Sequence, residues 1–182
     1  LKGIKDFDIE YAYQSMMETA MGPTPENAAF RGRRGIESYL KYHYCAADEM
    51  DESVSKTLEF SYNDWCVGKL AEQLNNNEEA EYFSNRSKNY LNLFQNDKKR
   101  FWMKDSEGNW HNNVYMYEWD NLMSHYISGN FWAYEYYVPH EMKNLVKLKG
   151  GKASFEKELD EMLADTNQMK GDQHVDISGF IG

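Results

Sequence analysis

Between positions 54 and 74 the chain carries two apolar stripes at helical spacing, Val54/Leu58/Tyr62/Trp65 and Phe60/Val67/Leu70/Leu74. A helix that is wet on one side needs a single stripe, so this segment is expected to be covered on two sides. Asp51, Glu52 and Ser53 put negative charge and a capping hydroxyl at its start. Asn75, Asn76 and Asn77 interrupt the pattern, and a second helix is expected over 78–94 with Ala80, Phe83, Ser87, Tyr90 and Phe94 on one face. Two helices joined by so short a polar turn form an antiparallel hairpin.

The same period recurs elsewhere. Asp8 is placed to cap a helix with Ile9, Ala12, Tyr13, Met16 and Ala20 on one face. A short helix is expected over 35–42, another from Pro139 in its first turn to Leu148, and a last one over 153–163, stacking Phe155, Leu159, Met162 and Leu163. Residues 95–127 are polar and irregular, and Asp105 to Asn109 form a strong turn signal compatible with a short β-hairpin. No strand–helix alternation, internal repeat or low-complexity tract interrupts this series. The fold class is therefore all-α, a series of helical hairpins.

Composition narrows the function. At 182 residues the chain has the size of one domain, and 41% hydrophobic with 15% aromatic residues is too apolar for disorder. A formal net charge of −10 argues against a nucleic-acid partner, whose affinity comes largely from Lys and Arg on phosphates. No apolar run approaches the roughly 20 residues that cross a bilayer, so no transmembrane segment is expected. Cys45 and Cys66 make neither a disulfide framework nor a zinc site, and the five histidines show no metal-ligand spacing.

The densest unusual stretch is YISGNFWAYEYYVPH over 126–140. Rings interleaved with Asn and His beside a Gly turn suit a sugar, whose C–H faces pack on aromatics while amides and imidazoles bond its hydroxyls. The plainer reading is a helix whose rings fill a core. Arg31, Arg33 and Arg34 form the single basic cluster, suited to a phosphate or carboxylate or, more commonly, to ion pairs with nearby acids. Glu59, Asn63 and Asp64, polar positions inside an apolar helix, are expected to form a structural hydrogen-bond network.

The stretch ESVSKTLEFSYNDW over 52–65 resembles glycoside hydrolase family 92. Further segments agree in order: LKGIKDFD over 1–8, RGRRGIESY over 31–39, YFSNRSKNYLNLF over 82–94, Gly129, Asn130, Trp132, Tyr134 and VPH over 138–140 against the family's EGNAWQY…VPHD block, then GGK over 150–152 and DISG over 176–179. The resemblance implies calcium-dependent, inverting exo-α-mannosidases with an (α/α)6-barrel catalytic domain. On that basis residues 1–182 are expected to be a single-domain piece of such a barrel, truncated at both ends, with the remainder of the same polypeptide as its partner. The protein is then expected to be secreted or periplasmic, to act on mannose-containing glycans, and to draw its main calcium ligands and catalytic base from beyond this chain.

Inversion needs one carboxyl group to protonate the leaving oxygen and another to activate water. The family's general acid is the glutamate of EGN, and the matching position here is Ser128. A serine hydroxyl is too weak an acid for that role, which typically contributes about 10²–10⁴ in rate. Glu135, seven residues on, lies about 10 Å along a helix and is poorly placed to replace it. Asn130, Trp132 and Tyr134 are the candidates for lining the mannose pocket, whereas His140 is expected to cap the turn after Pro139. Three readings follow: an α-mannosidase with a substituted acid, a mannose-phosphodiester hydrolase whose leaving group needs little protonation, and a non-catalytic carbohydrate-binding helical protein. A chain cut from a barrel is also expected to expose apolar faces.

Overall fold

A computed structural model describes residues 6–27, 29, 32–112, 125–127 and 131–165. Helix α1 (Ile9–Met21) starts as its sequence requires, with the Asp8 carboxylate accepting from the Tyr11 backbone N–H. Helix α2 (Ile36–Tyr42) follows Gly35, whose φ of 96° lies where only glycine is comfortable. Helix α3 (Ser53–Gln73) and helix α4 (Asn77–Arg86) form the expected hairpin. Gly68 lets them close, since a β-carbon there would sit 3.2 Å from that of Phe83.

Helix α4 ends earlier than its spacing predicts. Ser87 turns its hydroxyl onto the Ser84 carbonyl, and the chain tightens into a 3-10 turn over Asn89–Leu93. Ser and Asn compete locally with the helical backbone, which favours an end here. Tyr90, Leu93 and Phe94 consequently fall into the core beneath a short ribbon, strands β1 (Phe94–Gln95) and β2 (Arg100–Phe101), antiparallel with Phe94 opposite Phe101. A bridge between Lys104 and Trp110 closes the turn in which Asp105 accepts from the Glu107 and Asn109 N–H groups.

Beyond it lie α5 (Phe131–Glu135), α6 (Met142–Leu148) and α7 (Lys152–Ala164). Pro139 stands before α6 rather than in its first turn, because His140 is drawn into a ring cluster and Glu141 takes a non-helical φ of −133°. The described residues are thus mostly helical, as expected, with only this small ribbon.

Helix α3 organises the interior. Val54 and Leu58 join the main core with Tyr90, Phe101, Met103, Tyr126, Phe131 and Leu145. Phe60 packs with Ile36 and Tyr39, and Val67 with Ala20 and Phe83. A third stripe, Ser53, Thr57, Ser61 and Asp64, is buried as well. Two of its hydroxyls are satisfied locally: Thr57 donates to the Ser53 carbonyl and accepts from the Cys45 N–H, and Ser61 donates to the Thr57 carbonyl, whereas the buried Ser53 hydroxyl has no partner among the described residues.

Asp64 closes this stripe. It accepts from Arg33 at 2.5 Å, from Arg86 at 2.6 and 2.7 Å and from the Tyr39 hydroxyl at 3.0 Å. Arg33 therefore belongs to the interior, as the ion-pair reading of the basic cluster expects, while Arg34 is exposed. A second buried cation, Lys149, sits between Glu135 and Glu158 and donates to the Lys99 carbonyl. Apolar side chains stand exposed on the outer helices, Tyr11 at 73% and Leu163 at 65%. No helix among the described residues is long and apolar enough to cross a membrane.

Candidate functional site

A groove of about 380 Å³ runs between the loop before α2, the first half of α3, Ile127 and helix α5. Its walls include Arg34, Glu52, Ser55, Glu59, Ile127 and Tyr134. Glu52, just before α3, and Ser55 and Glu59 on its successive turns lie along one edge. The Ser55 hydroxyl accepts from the Ile127 N–H at 2.9 Å, and the His125 carbonyl accepts from the Val54 and Ser55 N–H groups at the start of α3. This tethers the segment that leads into positions 128–130. Ser128 and Asn130 themselves, like Arg31, lie outside the described residues.

Of the two aromatic candidates, Tyr134 lines the groove and Trp132 does not. They are two apart on one helix, and such positions point to nearly opposite sides. Trp132 is 6% exposed; its indole N–H donates to Asp165 at 2.7 Å, and the Arg100 guanidinium lies 4.6 Å from its ring centre. Phe131 packs beside it, with ring centres 4.4 Å apart.

Tyr134 is half-buried and tilts against Tyr126 and Tyr137. Burial raises its phenol above the ordinary value, and the Glu59 charge adds to that. Tyr137 donates to Glu59 at 3.0 Å and meets Tyr62 edge-on, and its phenol is likewise raised by burial and by that bond. Tyr62 and Trp65 in turn flank the His140 ring, which Tyr90 meets edge-on. His140 is structural, but its role is a cross-link rather than a cap: Nε2 donates to the Ser87 carbonyl at 3.0 Å, and burial lowers its pKa.

Glu135 is only 1% exposed and ion-paired to Lys149; burial raises its carboxyl above the ordinary range, with Lys149 opposing. It faces the core, not the groove. The sequence groups Glu59 with Asn63 and Asp64 in a polar network, yet Glu59 stands apart from the Asp64 partners and lines the groove. The signal that separates them is helical phase, five residues corresponding to about 140° around the axis. Among the described residues, no group of three or more His, Cys, Asp or Glu side chains converges to hold a metal ion.

Residues 1–180 match the model of the glycosyl hydrolase family 92 catalytic domain. The chain belongs to that family. An uncharacterized secreted glycosidase of Arthroderma benhamiae is 32% identical over 92% of the chain, which spans 25% of that relative. Among solved structures, an inverting mannosidase of family 92 from Bacteroides thetaiotaomicron is 32% identical with a TM-score of 0.81, over 92% of this chain and 22% of its own. A second family 92 α-mannosidase of that bacterium, in complex with mannoimidazole, is 30% identical with a TM-score of 0.75, over 93% of this chain and 21% of its own. The chain thus spans about a quarter or less of the relatives it matches.

Proposed function

We propose that the full-length protein is a secreted enzyme that removes mannose from α-mannosides with inversion, seating the sugar in the groove beside Tyr134. The observation that carries this reading is the tether of Ile127 to Ser55, which fixes on the groove wall the residue that precedes, in sequence, the stretch resembling the family's general-acid block. A ring face and neighbouring carboxylates and hydroxyls are the chemistry that binds a pyranose. The family relatives described as a secreted glycosidase and as α-mannosidases support the substrate class and the location.

Asn130 and Trp132 enter this reading differently. Asn130 is a pocket residue by resemblance, and Trp132 holds the segment from behind through Asp165 and Arg100. The calcium ion implied by the family finds no ligand set among the described residues; in this reading its ligands, like the catalytic base, belong to the rest of the polypeptide. The isolated 182-residue chain is accordingly expected to release no mannose.

The full-length protein is expected to release β-mannose from α-1,2-mannobiose, followed by NMR of the first-formed anomer. Binding without release would instead identify a carbohydrate-binding protein. A second reading, hydrolysis of a mannose phosphodiester, is favoured by Arg34, an exposed cation on the groove wall with no ion pair among the described residues. Ser128→Glu is expected to raise turnover of neutral mannosides; an unchanged rate, with phosphodiester turnover high before and after, would refute the general-acid argument for this position.

A further inference from the structure

The groove beside Tyr134 carries one carboxylate whose orientation is set before any ligand arrives. Glu59 Oε2 accepts from the Tyr137 hydroxyl at 3.0 Å, and Tyr137 is braced edge-on by Tyr62. Burial first, and then that bond, hold the Tyr137 phenol well above its ordinary value, so Tyr137 remains the donor and Glu59 the acceptor. Oε1 has no hydrogen-bond partner among the described residues, although Lys56 and Arg34 line the same groove; Lys56 pairs with Glu52 instead, at 3.4 Å. One oxygen is thus pinned on a long helix and the other left open, so a ligand need not pay to order the side chain. Charge on the described walls balances, Arg34 and Lys56 against Glu52 and Glu59. Such a wall offers donors and an acceptor to a neutral polyol and no net attraction to an anion. Tyr134 supplies the ring face, near enough for the Glu59 charge to add to the rise of its phenol. A pyranose laid on that ring turns its equatorial hydroxyls sideways into the walls, where a carboxylate is the strongest acceptor.

We propose that Glu59 is a specificity-determining residue whose open oxygen accepts a hydrogen bond from one hydroxyl of a mannose unit lying against Tyr134. The inference rests on the mannosidase reading above for the identity of the sugar, and on the Tyr137 bond for the placing of the acceptor. A sugar lacking that hydroxyl leaves the carboxylate oxygen unpaired in the occupied groove, and an amide in place of the carboxylate offers the hydroxyl no charged acceptor.

The test is titration calorimetry on the full-length protein with methyl 1-thio-α-mannoside, which resists hydrolysis, and its monodeoxy forms lacking the hydroxyl at C2, C3, C4 or C6. In the wild type at least one deoxy form is expected to bind about 10–100-fold more weakly than the parent sugar, the loss of a bond to a charged acceptor. Glu59→Gln keeps a carbonyl for Tyr137 and is expected to weaken the parent by a similar factor, while binding one such deoxy form within about twofold of it. Tyr137→Phe frees the carboxylate without removing it, and is expected to leave the same position sensitive with a smaller penalty. Stoichiometry counts the folded molecules, so a partly unfolded variant does not imitate these results. A wild type with no sensitive position, or penalties that persist unchanged in Glu59→Gln, would overturn the role of Glu59. Should Glu59→Gln bind no sugar at all, Tyr137→Phe decides: a reduced penalty supports the role and an unchanged one overturns it. Mannose release from α-1,2-mannobiose is followed separately; its absence in the wild type would overturn the mannosidase reading, while the deoxy series would still judge Glu59.

Discussion

Replacing Asp64 with Asn tests how far the buried network holds α1, α2, α3 and α4 together. Asp64 has no exposed surface and accepts four hydrogen bonds, three of them from Arg33 and Arg86. The amide is nearly isosteric, so packing is retained while the charge disappears. Two guanidinium groups, 9% and 6% exposed, then face a neutral group that also presents an N–H₂ to their donors. Leaving buried cations without their counter-charge costs about 3–5 kcal/mol, against a total of about 5–15 kcal/mol for a whole domain. With about 2 kcal/mol per molar of urea for the slope, the unfolding midpoint of the chain is expected to fall by about 2 M at constant slope, followed by far-UV circular dichroism. Arg33→Met is expected to cost less, because Asp64 keeps both bonds from Arg86. A midpoint shift below about 0.5 M for Asp64→Asn, or equal shifts for the two variants, would refute the network reasoning.

Lys149→Met leaves Glu135 and Glu158 without their shared cation and is expected to destabilise the chain by about 3–5 kcal/mol, while adding Glu135→Leu should recover much of that in thermal melts. Burial, with the neighbouring His111, pushes His125 from 6.5 down to about 4, so the unfolded chain takes up the proton first. Its contribution is complete above pH 6.5 and lost as the pH falls towards 4, at most about 3 kcal/mol, a decline that His125→Gln should flatten in melting temperatures measured across that range. Gly35→Ala forces a side chain to a φ of 96° at the start of α2 and is expected to cost about 1–3 kcal/mol by urea titration.

Much of the local structure was legible because local rules decide it. The cap at Asp8, the α3–α4 hairpin and the Asp105–Asn109 turn each depend on residues within a few positions of one another. Boundaries were less legible where a distant contact acts together with the local signals. Helix α4 gives way at Ser87, whose carbonyl the His140 ring binds from 53 positions away, and α6 begins late because that same ring is held among Tyr62, Trp65 and Tyr90. For the candidate site, Tyr134 was visible in the sequence as part of an aromatic segment, whereas Glu59 was hidden in a helix that looked purely structural.

Helical period, fold class and family were fixed by the order of residues along the chain, since amphipathic spacing and co-linear motifs need no knowledge of what lies opposite. Tertiary structure decided which polar side chains went inside. Ser53, Thr57 and Ser61 look solvated at helical spacing, and Arg33 looks like its neighbour Arg34; only the pairing of Asp64 with residues 31 and 22 positions away draws that face inwards. The physical reason is that burying a charge is favourable only against a counter-charge in place, and that partner is supplied by another element of the fold.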